Sequence, residues 1–456
     1  MNNSVHPLLL VSAAFFISVS GKPQITDAKH VDLLDQWYSA NMLPDGNTEW
    51  YNEVWGFVSN GKEYAIIGSQ DGTHILEITN DNQLVERDFV MGASIGPYIV
   101  NRDFYVYGNY LYSICDQGFS TLQIMDVSYL PDSVHVVYDT NALVASAHTL
   151  WVDEAMKKLY VCGPAGYAMK IFDVTNPIDP QEVFVHTNNA YIHDCYVRND
   201  TAFLNAGTEG LFVYKFTNLV TPQWIGVYDY YPDQGYNHSG KPNKNGSLYV
   251  FADETPGKRV KLVDITDLTD VQLVSFLHSG GDANTIAHDP VFFRDEYVMI
   301  AYYYDGLVIF DVKNPSQPIK VGWYDTYNGA NSNYRGAWGV YADLPSERIL
   351  VSDRQSGLYL LKFNPPPRIN TALEHGVFPN PMNGSGYFWF NNRTDQVYDF
   401  FIYDSGGKLV FERKNYADYF IEINSTGLAP GAYIYHFRGV ENETDVRGKF
   451  VVQKGE

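Results

Sequence analysis

The chain has 456 residues, of which 45% are hydrophobic and 18% are charged, so it can bury a large core and is not a disordered chain. Aromatic residues make up 15% of the sequence and include 36 tyrosines, which favours an all-β protein. The formal net charge of −22 disfavours nucleic acid or an anionic membrane as a partner, because phosphate would be repelled.

The N-terminal segment, residues 1–20, has the layout of a secretory signal peptide. Its apolar core runs from Leu8 to Val19 and is followed by small residues. This core is too short to span a bilayer, and no later stretch approaches the ~20 apolar residues of a transmembrane helix. We therefore expect an exported protein without a transmembrane span.

A unit of short strands recurs seven times along the next part of the chain. Its clearest copy, LVIFDVKNPSQPIKVGWYDT, runs from Leu307 to Thr326. Equivalent positions in successive units are 45 to 50 residues apart, and each unit has a glycine turn before its third strand. Four strands at this spacing are typical of a propeller blade, so the sequence predicts a seven-bladed β-propeller over residues 30–363.

The seventh unit ends in Asn364 and three prolines where a fourth strand is expected. An unassigned strand, from His30 to Asn41, resembles the fourth strands of other units, such as KVGWYDT. We expect this N-terminal strand to complete the seventh blade and close the ring, because closure removes exposed strand edges.

A second, smaller domain is expected at the C-terminus. Residues 364–375 form a Pro-rich linker, which is stiff and extended. Residues 376–456 contain short strands broken by Gly and Pro turns, which predicts a small Ig-like β-sandwich.

Motifs in both domains resemble known bacterial families. IFDVTNP, LVDITD and IFDVKNP resemble the LVIVD-repeat proteins of bacterial surfaces, also grouped as choice-of-anchor B. The tail motifs FPNP, YDSGGKLV and GLAPGAYIY resemble the C-terminal sorting domain of type IX secretion in Bacteroidetes. The resemblance implies export by type IX-like secretion machinery, a secreted or cell-surface location, and frequent removal of the tail.

The innermost strands of a propeller bring equivalent residues together around one axis. Four consecutive ring positions are histidines: His148, His193, His238 and His288. Imidazoles ligate Zn, Cu, Fe and Ni, so the sequence suggests a divalent transition-metal site at the mouth of the channel. The alternative is that these side chains bond water or backbone carbonyls in a wet channel.

Charged and aromatic residues are expected around the same mouth, and they suggest a ligand-binding face. The candidate residues are Glu53, Arg102, Tyr191, Tyr231, Tyr236, Tyr334 and Arg335. One hypothesis is a non-enzymatic propeller that binds a glycan, peptide or protein through this face. The other is a metal-dependent enzyme, a lyase or hydrolase, that uses the histidines. The first is favoured, since no H-E-x-x-H motif is present.

Overall fold

The computed structural model describes residues 27–281, 283–327, 329, 334–366, 375–390, 397–416, 420–440 and 445–453. The predicted signal peptide and most of the predicted linker lie outside the described residues. The described part of the chain consists of β-strands and one short 3-10 helix, Ser425–Gly427. The prediction of an all-β protein is confirmed.

Strands β1 to β29 form seven sheets. Two N-terminal strands come first, β1 (Ala28–Lys29) and β2 (Val31–Trp37). The strands of the first three sheets then follow in chain order: β3 (Tyr51–Ser59), β4 (Lys62–Ser69), β5 (Gly72–Ile78), β6 (Leu84–Met91), β7 (Arg102–Tyr107), β8 (Tyr110–Cys115), β9 (Leu122–Asp126), β10 (His135–Thr140), β11 (Thr149–Asp153), β12 (Lys158–Cys162), β13 (Met169–Asp173) and β14 (Gln181–His186).

The remaining four sheets continue the same antiparallel order. Their strands are β15 (Asp194–Arg198), β16 (Thr201–Asn205), β17 (Leu211–Lys215), β18 (Gln223–Tyr228), β19 (Asn237–Pro242), β20 (Leu248–Asp253), β21 (Val260–Asp264), β22 (Gln272–Leu277), β23 (Asp289–Phe293), β24 (Tyr297–Tyr302), β25 (Gly306–Asp311), β26 (Ile319–Tyr324), β27 (Ala337–Tyr341), β28 (Ile349–Asp353) and β29 (Gly357–Phe363).

The first strand of each sheet lies at the centre of the ring. Strands β3, β7, β11, β15, β19, β23 and β27 each contact the next in this order, and β27 contacts β3. The seventh sheet has only three strands from its own unit, and β2 pairs with β29 as its outermost strand. Strand β1, which the sequence did not reveal, pairs with β26 and gives the sixth sheet a fifth strand.

The repeated IFDV motif has a local structural role. In four sheets the Asp that ends the third strand accepts a hydrogen bond from the backbone N–H two residues later, which turns the chain out of the strand. These carboxylates belong to Asp126, Asp173, Asp264 and Asp311. In all seven sheets the pairing of the third and fourth strands contains a β-bulge, which strengthens the twist of the blade.

The propeller core lies between neighbouring sheets. One cluster joins Met299 and Ile309 of the sixth sheet to Val351 and Leu361 of the seventh, and all four side chains are buried. Burial on both faces explains why the second and third strands are almost continuously apolar rather than alternating. Each sheet therefore depends on its two neighbours for burial.

The tail forms two further sheets. One contains β30 (His375–Phe378), β31 (Ser385–Phe390) and β34 (Phe420–Asn424). The other contains β32 (Tyr398–Asp404), β33 (Leu409–Tyr416), β35 (Gly431–Gly439) and β36 (Asp445–Val452). Aromatic side chains from both sheets share one core, for example Phe388 with Phe400 and Phe450.

We predict that removing residues 1–37 destabilises the propeller more than removing residues 1–26. The longer deletion exposes the edge of β29 and removes the buried side chains of Val31 and Trp37. We expect the thermal midpoint to fall by roughly 5 °C or more, with self-association through the open edge. Calorimetry and size-exclusion chromatography measure both effects. Equal midpoints for the two deletions would contradict this role of β2.

Candidate functional site

The histidines stand at one end of the channel, where each innermost strand begins. Nδ1 of His193 lies 3.0 Å from the backbone oxygen of His238, and Nδ1 of His238 lies 3.1 Å from that of His288. Nδ1 of His288 lies 2.7 Å from the backbone oxygen of Trp338. A carbonyl oxygen only accepts hydrogen bonds, so each Nδ1 carries the proton and each Nε2 keeps a lone pair.

His148 continues this series with a different acceptor. Its Nδ1 lies 2.9 Å from a carboxylate oxygen of Asp116. The bond to the next blade comes instead from Thr149, whose hydroxyl donates to the backbone oxygen of His193 at 2.8 Å. Before it, the side-chain amide of Asn101 donates to the backbone oxygen of His148 at 2.7 Å. The imidazole of His148 is therefore held by the preceding blade, whereas the other three imidazoles are held by the next blade.

Ligating atoms of the histidines lie close together at this end of the channel. Ligand atoms of His148, His193 and His238 all lie within 4.8 Å of one another, and the same holds for His238, His288 and Glu254. Nε2 of His238 lies 3.7 Å from a carboxylate oxygen of Glu254. Ligands of a tetrahedral metal ion stand about 3.4 Å apart, so small side-chain rotations would bring three imidazoles to ligating distance.

The buried histidines are held in the neutral form. Burial lowers the pKa of His193, His238 and His288, and neighbouring imidazoles lower the pKa of His193 further. A neutral imidazole is the form that ligates a metal ion.

Three of the sequence candidates do not present a free side chain at the mouth. Arg102 is 2% exposed, and its guanidinium donates to the backbone oxygens of Ser69 and Ser94. Glu53 lies one layer deeper, where burial raises its pKa and it accepts a bond from the Trp338 indole. Tyr231 is 4% exposed and donates to Asp253. All three contribute to packing between blades.

The other candidates do lie around the histidines. The rings of Tyr236 and Tyr191 stand 5.5 and 6.2 Å from that of His193. Tyr334 is 41% exposed and packs on Tyr303 with 5.3 Å between ring centroids. The guanidinium of Arg335 is exposed and donates to Gly46 and Asn47.

A cavity of about 570 Å³ lies above the ring, and part of its lining was not found from the sequence. It is lined by Glu49, Glu254, Tyr303, Tyr334, Arg335, Trp338 and Arg354. Glu254 and Tyr303 follow the second strands of their blades. In an antiparallel pair, the end of the second strand lies beside the start of the first, as the pairing of Asn237 with Asp253 shows. This rule could have identified both residues.

Two family profiles match the chain. The profile of the secretion system C-terminal sorting domain matches residues 376–453, and that of the LVIVD repeat matches residues 288–326. The chain therefore contains an LVIVD repeat and a type IX sorting domain. The sorting domain indicates a secreted or outer-surface protein, and its partner is the secretion machinery. No curated protein sequence matches the chain. Among the described residues, no helix is long and apolar enough to cross a membrane.

Solved structures share the propeller fold at low sequence identity. A protein from Lactobacillus plantarum aligns with a TM-score of 0.52 and 12% identity, over 81% of this chain and 99% of its own. The Cps50 (Swd1) β-propeller domain of Myceliophteria thermophila aligns with a TM-score of 0.50 and 11% identity, over 73% of this chain and 98% of its own. These two similarities support the fold and assign no activity.

A surface component of the type-IX secretion system, PorZ of Porphyromonas gingivalis, also aligns. The TM-score is 0.47 at 11% identity, and the alignment covers 88% of this chain. This chain spans only 59% of the PorZ chain.

The depressed histidine pKa values predict a pH dependence of stability. The unfolded chain takes up protons near pH ~6.5, whereas buried His193 stays neutral to lower pH, so its stabilising contribution is present above that pH and lost as the pH falls. In His193→Asn the amide still donates to the carbonyl but does not titrate. With chelator present, we expect the thermal midpoint of the wild type to fall by about 2–4 °C more than that of the variant between about pH 7.5 and 5.5. Parallel curves would contradict the neutral, buried state of His193.

Proposed function

We propose that this surface or secreted propeller binds a divalent transition-metal ion at its channel mouth, through His148, His193 and His238. The observation that carries the proposal is the orientation of the imidazoles. Each Nδ1 is tied to an acceptor, which leaves each Nε2 with a lone pair, and one ligating atom from each of the three histidines lies within 4.8 Å of the other two. Imidazole nitrogens gathered in this way can ligate one shared cation.

The surroundings of the three histidines suit a metal ion. Backbone carbonyls and the carboxylate of Asp116 accept the N–H of the outer ring nitrogens, and metal-ligating histidines usually donate their other N–H to such groups. Glu254, beside His238, adds a carboxylate that can balance the charge of the ion or serve as a further ligand. Nitrogen-rich ligation favours Zn, Cu, Ni or Fe over Ca or Mg.

A three-histidine site would leave a coordination position open. In zinc sites, three protein ligands with a free fourth position are typical of ions that bind water or an external ligand. The open position would face the mouth, where Tyr236 and Tyr303 stand beside His193 and His288. The ion would then be a Lewis acid to which a ligand could bind, among the tyrosine side chains of the channel mouth.

The test is metal binding by the purified full-length protein. We expect about one equivalent of metal after purification without chelator, and Co²⁺ added to the stripped protein should give tetrahedral d–d absorption. His148→Ala with His193→Ala should weaken Co²⁺ binding by about 100-fold or more, because two of three ligands are lost. His135→Ala is the matched control, since that histidine is exposed on β10. A wild type that binds no Zn²⁺ or Co²⁺ at micromolar concentration would contradict the proposal.

Recognition of a glycan, peptide or protein at the same face is the second candidate function. It is favoured by the cavity of about 570 Å³, which joins tyrosine rings to the charged side chains of Arg335, Arg354 and Glu254. Pockets of ~300–1,000 Å³ with a few polar groups are typical of ligand sites.

Array binding with metal-loaded and metal-stripped protein separates the two functions. If the cavity binds its ligand without a metal ion, glycan or peptide arrays should retain the protein in both states. Tyr334→Ala should then weaken retention by about 10-fold. Retention of the loaded protein only would make the metal the attachment point. Tyr230→Ala is a matched control, because Tyr230 is also exposed but does not line the cavity. Equal retention of Tyr334→Ala and Tyr230→Ala would contradict binding in this cavity.

A further inference from the structure

The end of the channel opposite the histidines holds a second cavity, of about 450 Å³. Its walls come from the middle of the innermost strands and from the turns that follow them. The channel space between the two ends has a volume of only about 60 Å³. A ligand at this end would therefore be separate from the proposed metal site.

Five aromatic side chains from five successive blades form an arc around this cavity: Tyr341, Trp55, Tyr105, Trp151 and Tyr196. Neighbouring ring centroids are 4.8 to 5.1 Å apart. Each of these residues lies at the equivalent position of its strand. In the blades that carry a channel-mouth histidine, this position is three residues after the histidine, or about 10 Å along the strand. We call this cavity the aromatic cup.

Several polar groups of the arc are available to a ligand. Tyr105 donates to Glu154, and the Trp151 indole donates to the backbone of Val197. Within the described part of the chain, the indole N–H of Trp55 and the hydroxyls of Tyr196 and Tyr341 have no hydrogen-bond partner. The cup therefore offers unused donors beside its aromatic rings.

Lys241 forms the floor of the cup. Its ammonium lies 5.8 and 5.9 Å from the ring centroids of Trp55 and Trp151. Carboxylates in the layer above, led by those of Asp289 and Asp194, raise its pKa and keep it charged. In the fifth blade, the position that carries an aromatic side chain in the other five blades of the arc is therefore occupied by a cation.

The charges of the cup balance in sign. Its acidic residues are Glu154, Asp295 and Asp343, and its basic residues are Arg198, Lys241 and Lys244. The cup thus has equal numbers of acidic and basic residues, whereas the whole chain has a net charge of −22. A ligand of either charge would meet both attraction and repulsion here, whereas a neutral, hydroxyl-rich ligand can bond to carboxylates and ammonium groups alike.

We propose that the aromatic cup binds a neutral oligosaccharide. Aromatic faces suit the apolar C–H faces of sugar rings, and the free donors, carboxylates and ammonium groups suit their hydroxyls. The cavity volume lies within the ~300–1,000 Å³ of small-ligand pockets. This site does not depend on the metal proposed for the other mouth.

The test uses the full-length protein with cellohexaose, laminarihexaose and mannohexaose as probes. Calorimetry and tryptophan fluorescence should detect binding of at least one of them, because Trp55 and Trp151 line the cup. Trp55→Phe keeps an aromatic ring and removes the N–H, so it should weaken binding about 10-fold. Trp55→Leu together with Tyr341→Phe should abolish it. Trp224→Phe is the matched control, since Trp224 is exposed on β18, away from the cup.

Two outcomes would overturn the proposal. One is that none of the three neutral probes binds while the protein is folded. The other is that a probe binds equally to the wild type and to the Trp55→Phe variant, which keeps an aromatic ring at this position. Equal binding by the His148→Ala, His193→Ala variant is expected, which separates failure of this proposal from failure of the metal proposal. Selective binding of an acidic oligosaccharide or a peptide in the cup would also contradict a neutral sugar ligand.

Discussion

Successive blades are joined at the channel by hydrogen bonds from the side chains of one innermost strand to the backbone of the next. In one layer, imidazoles donate to carbonyl oxygens, as from His193 to His238. In the next layer, carboxylates accept backbone N–H groups, as Asp103 does from Leu150 and Asp289 from Val340. These bonds set both the spacing of the blades and the tautomer of the histidines. The chemistry of the mouth is therefore a consequence of how the ring is assembled.

The buried carboxylates show the cost of this arrangement. Burial raises the pKa of Asp103 to about 7 and that of Asp194 to about 6. Lys241, in the layer below, attracts Asp194, which lowers the pKa of that carboxyl from what burial alone would produce. One ammonium thus stabilises charges that several blades contribute, and it also forms the floor of the aromatic cup. A change at Lys241 would affect blade joining and the cup together.

The sequence predicted the fold better than the site. Repeat spacing and alternating strands were enough for the all-β propeller and for a strand near the N-terminus that resembles a fourth strand. Strand β1 was missed because two residues, Ala28–Lys29, are too short to have a pattern. The bulges were missed because they depend on pairing between strands, and one sequence run does not show its partner.

The positions of the ring residues also depend on pairing between strands. Spacing between the N-terminal ends of the first strands does not give the level of each residue in the channel, because the pairing of β3 and β27 is irregular at these ends. Counting back three residues from Tyr341 and Trp55 would have placed Trp338 and Asn52 at the level of the histidines. Arg102 is at the expected level, but its side chain turns into the space between two blades, and Asn101 bonds His148 instead. Side-chain direction at an irregular strand start does not follow from spacing.

The pairing of β2 with β29 also bears on when the ring can close during synthesis. Strand β2 is translated before every other strand of its sheet, yet its partner, Gly357–Phe363, comes last in the propeller. Joining strands so far apart in sequence carries a loop-closure cost and delays folding. A chain released early by the ribosome would lack both the partner of β2 and the sorting domain that begins at residue 376. The ring can therefore close only after translation has passed β29, shortly before the sorting domain is synthesised.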